Sequence, residues 1–227
     1  MEECAVGVDV SVRRGLDVVV MAHGGVVLHV QRRCDPDGLT IVLREWKPRV
    51  VCIDSPPGRG IDPNRRTRPC EEQLRERGVN IFSTPGDVVQ YEGSFYDWVR
   101  VGERAFEAAD AAGFPRQVTE RDVEHRALEV FPHASDVFRR GCLPPAGTTR
   151  RVGTRRAWRS ETLRGAGVDP ASLCLGRRLP SMDSVDAALA ALTGLRAIEG
   201  EYESYGVEGE WLVVPSSTIT GRFERCG

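Results

Sequence analysis

Short apolar runs, each closed by glycine, proline or an acid, set the pattern of the first half of the chain. Residues 4–10, 16–21 and 26–30 are such runs, joined by Arg13-Arg14-Gly15 and by His23-Gly24-Gly25. Glycines in connections this tight predict an antiparallel meander of three strands. At Asp35-Pro36-Asp37 the period changes. Leu39, Val42, Leu43 and Trp46 recur at helical spacing until Pro48 ends the run, which predicts a crossover helix. A strand reached through a helix packs most naturally beside the first strand and parallel to it, so residues 50–53 are expected next to residues 4–10.

The remaining pattern predicts a helix over 70–77, a short strand over 79–82 and a helix over 95–112 with Trp98, Val101, Ala105, Phe106 and Ala109 on one face. A strand bearing Glu129, an arginine-rich stretch, a late helix from Met182 and a terminal strand over 211–214 follow. The expected architecture is α/β: a mixed central sheet, a three-strand antiparallel meander continued by parallel strands, flanked by helices in the ribonuclease H-like order. Residues 1–227 are expected to form a single domain with an arginine-rich insertion at about 134–165.

Composition adds little and excludes some classes. The chain has 227 residues, 41% hydrophobic and 28% charged, with a formal charge of -2, so no global attraction to polyanions exists and any nucleic-acid contact needs a local patch. No apolar run approaches the roughly 18 residues of a membrane span, and the acidic start Met1-Glu2-Glu3 is unlike a signal peptide. A cytoplasmic location is expected. Seven scattered cysteines without a Cys-x-x-Cys pair are expected to be reduced thiols.

The candidate chemistry lies in acids at the ends of apolar runs. Asp9 closes the first strand and Asp54 the fourth, and an unpaired buried carboxylate costs several kcal/mol unless a network or a cation meets it, roughly by the desolvation argument. Glu129 lies within a later strand, and Asp183 and Asp186, three residues apart, share one side of the late helix. Carboxylates on rigid elements suit Mg²⁺ or Mn²⁺ and phosphoryl chemistry. Each acid also has a plain reading: strand or turn termination at Asp9 and Asp54, helix capping at Asp183 and Asp186, an arginine partner for Glu129.

The segments Gly7-Val8-Asp9-Val10-Ser11, Ile53-Asp54-Ser55-Pro56, Glu129-Val130-Phe131-Pro132-His133-Ala134 and Asp183-Ser184-Val185-Asp186-Ala187 resemble those of the domain-of-unknown-function 429 family. That resemblance covers residues 7–215 and implies a predicted nuclease of ribonuclease H-like fold. The Asp183-x-x-Asp186-Ala187 step also resembles the last metal-binding helix of Holliday-junction resolvases. In the usual ribonuclease H pattern a second acid comes from the first helix. Residues 39–46 offer only Glu45, to which that role is not assigned.

The expected metal ligands are therefore Asp9, Asp54, Asp183 and Asp186, and the expected catalytic acids are Asp9, Asp54, Glu129 and Asp186. Between residues 139 and 164 there are eight arginines against one acid, Glu161. Arg150, Arg151 and Arg155 in this stretch, with Arg65 and Arg66 after Asp54, are the expected phosphate-binding residues. The arginines at 155, 156 and 159 equally suit the solvated face of a helix. His133 could shuttle protons or be structural. Three functions follow: a metal-dependent nuclease acting on DNA or RNA, a non-catalytic nucleic-acid or protein-binding module, and a hydrolase of a small phosphorylated metabolite.

Overall fold

The structure is a computed structural model and describes residues 3–226. Strands β1 (Cys4–Ser11), β2 (Gly15–Ala22) and β3 (Val26–Cys34) form the expected antiparallel meander. Helix α1 (Pro36–Trp46) starts on Asp35, whose side chain accepts from the Gly38 N–H, and leads to β4 (Val50–Asp54). Strand β4 pairs with β1 in parallel, with Asp9 and Asp54 as direct partners.

Helices α2 (Pro69–Glu76), α3 (Val88–Tyr91) and α4 (Asp97–Ala111) precede β5 (Ala127–Val130); α5 (Pro132–Arg140), α6 (Val152–Gly165) and α7 (Met182–Ile198) follow. Strands β6 (Tyr202–Tyr205) and β7 (Leu212–Pro215) complete one seven-stranded sheet in the order β3-β2-β1-β4-β5-β7-β6. The meander contributes antiparallel pairs, and β1, β4, β5 and β7 run parallel. No helix among the described residues is long and apolar enough to cross a membrane.

Side-chain alternation splits the core into two layers. Ala5, Val50, Cys52, Leu128 and Val130 face α7, while Val6, Val8, Val51, Ile53 and Ala127 pack with residues of α1 and α4. Helix α7 is buried on nearly every side, because α5 and α6 cover the face turned away from the sheet. Its small residues let it lie close. A Cβ on Gly7 would stand 2.0 Å from the Ala187 carbonyl oxygen and 2.2 Å from the Ala191 amide nitrogen, so only glycine fits where β1 meets α7.

Two expectations fail and one strand is new. Residues 79–82 form no strand: β7 fills the place beside β5, and Ile81 and Phe82 instead line a cleft. Strand β6 was not foreseen, since Tyr202-Glu203-Ser204-Tyr205 has no apolar run and lies half-buried at the sheet edge. Cys142 and Cys226 are not reduced thiols; their Cα atoms are 5.3 Å apart and they form a disulfide. Cys4 and Cys52 are buried in their strands as small hydrophobes, as expected.

Candidate functional site

The alternation that turns Ala5 and Gly7 toward α7 also turns Asp9 that way, and Asp54 follows Val50 and Cys52. Helix α7 brings its first turn over this point. Ser181 caps it by accepting from the Ser184 N–H at 3.0 Å, which places Asp183 and Asp186 above the carboxyl ends of β1 and β4. The Gly7 contact fixes the separation of strand and helix, and thereby of Asp9 and Asp186.

The four acids act on one another. Burial raises the Asp9 carboxyl well above the ordinary range, and Asp186, Asp54, Asp183 and Asp17 raise it further. Burial also raises Asp54, with Asp186 adding and Arg159 opposing. Asp186 and Asp183 are raised by burial too, but Arg159 and Arg14 pull them back. Among the described residues, however, no three His, Cys, Asp or Glu side chains already stand as a ligand set for a metal ion.

Cations hold two of the acids. Arg159 of α6, 7% exposed, donates through Nη1 to Asp186 Oδ1, while its Nε is buried without a hydrogen-bond partner. Of the two readings of Arg159, the solvated one fails: α6 packs against α7 and carries this side chain inward. Arg14 reaches Asp183 Oδ1 at 3.1 Å, and Asp183 Oδ2 is buried with no partner. Arg155 acts on Asp186 through its charge.

Asp17 was missed. It pairs with Asp9 across β1 and β2, is 3% exposed, and is held by Arg32 at 3.1 Å, Ser184 at 2.8 Å and Ser181 at 3.2 Å. It ties β2 to the start of α7. The sequence did carry a signal, an acid interrupting an apolar strand directly after Leu16.

Glu129 stands apart from the other acids. Its partner across the ladder is Ile53, so it points to the opposite sheet face from Asp54. There Arg68 grips it with both terminal nitrogens, at 2.7 and 2.5 Å, and donates through Nε to Glu71 at 2.9 Å. All three side chains are buried. Burial still raises the Glu129 carboxyl, with Arg68 opposing, and its charge reaches Asp54 past the strand end. Glu129 is thus an anchor for the loop before α2.

Of the other expected phosphate-binding residues, Arg65 pairs with Glu72 at 2.7 Å, and Arg66, Arg150 and Arg151 are exposed. Glu45 is an exposed residue of α1. His133, at the start of α5, is pushed down to about 4 by burial and by Arg159 and Arg155, so at neutral pH it is uncharged.

On the α4 side of the same strand ends lies a cleft of about 320 Å³. Asp54, Ser55 and Glu129 line its inner end, and Phe82, Phe95 and Trp98 its walls. Gly102 lets α4 pack tightly on Ser55 at this end, since a Cβ there would meet Ser55 Oγ at 1.8 Å.

No curated protein and no solved structure matches the chain significantly. A family model does, over residues 7–210, a span that contains every acid of the cluster and the glycine that seats α7. The chain belongs to the family described as "Protein of unknown function (DUF429)".

Proposed function

We propose that the protein is a metal-dependent nuclease that hydrolyses phosphodiester bonds of nucleic acid, on a ribonuclease H-like arrangement of sheet and helices. The observation that carries this reading is the direct pairing of Asp9 with Asp54 under the first turn of α7, where Asp183 and Asp186 add two more carboxylates.

The residues fit Mg²⁺ or Mn²⁺. Their donors are hard carboxylate oxygens, their mutual repulsion favours a bound cation, and Asp183 Oδ2 is a buried acceptor with no protein donor. Asp9, Asp54, Asp183 and Asp186 would hold the ion once Asp186 is released from Arg159. A divalent cation there supplies charge neutralisation and Lewis-acid polarisation of the phosphodiester.

The chain's own part is binding and orientation. Arg159 exchanges Asp186 for a phosphate oxygen of the substrate, and Arg155 adds positive charge beside it. Arg150, Arg151, Arg65 and Arg66 extend the contact along the backbone. A cytoplasmic setting, where nucleic acid and Mg²⁺ are at hand, suits this activity. The test is cleavage of a labelled oligonucleotide in Mn²⁺. Loss in EDTA and in Asp9→Asn is expected; activity that survives both removes the proposal.

A second reading is a non-catalytic binding module. The Arg159–Asp186 ion pair favours it, because a pair so placed neutralises an acid without any metal. Calorimetric titration with Mn²⁺ separates the two, and no heat of binding at millimolar metal selects the module.

A further inference from the structure

The cleft beside Asp54 has features that the acid cluster does not use. Phe82 is 64% and Phe95 60% exposed, yet their rings meet edge to face at 6.0 Å, and Trp98 stands 6.4 Å from Phe82. Isolated exposed rings are ordinary; rings gathered at the mouth of one concave site expose apolar surface that a ligand would cover.

The floor selects against an anion. Asp54, Glu71 and Glu129 contribute three carboxyls against the single cation Arg68, whose three guanidinium nitrogens are already donating to Glu129 and Glu71. A phosphate in the cleft would meet no free donor from Arg68 and a surplus of negative charge. An uncharged planar ring with N–H groups meets stacking surfaces on its faces and the Asp54 carboxyl at its edge, Glu71 and Glu129 being held by Arg68. The phosphate-binding charge lies on the other side of Asp54, where Arg159 acts on that carboxyl.

We propose that the cleft receives one unstacked nucleobase of a single-stranded polynucleotide, held against Phe82, Phe95 and Trp98, while the adjoining phosphate lies at Asp54 and Asp186. This rests on the nucleic-acid reading above and deepens it: the substrate is single-stranded or locally opened, since a base inside a duplex cannot reach the rings.

The test uses the full chain in Ca²⁺ and a single-stranded oligonucleotide carrying one 2-aminopurine. Stacking should quench the fluorophore on binding. Base stacking is worth roughly a five- to hundred-fold change in affinity, so the same strand with an abasic site should bind about tenfold weaker. The double variant Phe82→Ala/Phe95→Ala should weaken the intact strand by about the same factor and leave the abasic strand unchanged. Both rings are exposed, so the fold should survive, and an unchanged thermal midpoint verifies this. Equal binding of intact and abasic strands, unquenched 2-aminopurine at saturation, or tighter binding of duplex would overturn the proposal.

Cleavage measured on the same preparations in Mn²⁺ keeps the two ideas apart. Base-selective binding without cleavage supports the cleft and removes the nuclease; cleavage without base selectivity does the reverse.

Discussion

Replacing Arg68 by methionine would remove the one cation shared by two buried carboxylates. Arg68, Glu71 and Glu129 are at most 4% exposed, and every nitrogen of the guanidinium that faces them donates at 2.5–2.9 Å. Breaking a buried pair from one side costs about 3–5 kcal/mol, because the abandoned charge stays in a poor solvent. Glu71 keeps donors from the Thr84 N–H at 2.9 Å, so most of the loss falls on Glu129. For a chain of this size, that corresponds to a drop of roughly 6–20 °C in thermal midpoint.

The pH dependence gives the sign. Burial already raises Glu129, so the folded state takes up its proton more readily than the unfolded chain, and without Arg68 that preference grows. The deficit of Arg68→Met should therefore be largest at neutral pH and shrink on acidification, and Glu129→Gln in the same chain should restore part of it. Urea unfolding followed by circular dichroism between pH 5 and 8 measures all three. Neutral-pH stability within about 1 kcal/mol of wild type, or a deficit that widens in acid, would refute the structural role of the triad.

Further outcomes are expected at the other face of the sheet. Gly7→Ala should destabilise by about 3 kcal/mol, because its Cβ meets backbone rather than a movable side chain, and Mn²⁺ heats should fall with it. Arg159→Met should destabilise the protein in EDTA by leaving Asp186 unpaired, regain stability in Mn²⁺ and bind Mn²⁺ more tightly, while binding oligonucleotide more weakly; calorimetry and fluorescence anisotropy read these. His133 is held down to about 4, below its ordinary 6.5. The unfolded chain then binds the extra proton between those values, so stability should rise with pH across that window, and His133→Phe should flatten that rise in a titration of unfolding free energy.

The parts of the fold that repeat a simple period were legible in the sequence. The apolar runs at residues 4–10 and 50–53 and the handedness of the crossover through α1 are enough to put Asp9 beside Asp54. Capping chemistry at Asp35 and Pro36 marked α1 to within a residue. What was not legible depended on partners remote in sequence. Arg68 finds Glu129 sixty-one residues on and Arg159 finds Asp186 twenty-seven on, and no local pattern tells a buried arginine from a solvated one. The face taken by Glu129 turned on the register of a four-residue strand, where a slip of one residue reverses every side chain. The Cys142–Cys226 pairing spans 84 residues and carries no spacing signal.

Helix α7 also sets when the acid cluster can form. During synthesis Asp9 and Asp54 leave the ribosome more than a hundred residues ahead of Asp186, and until α7 arrives the strand face bearing Val19, Met21, Val50 and Cys52 lacks the helix that covers most of it. Hydrophobic closure of the sheet and gathering of the acids are one event. A partly made chain therefore has no assembled acid cluster, which forms only with the last large piece of the core.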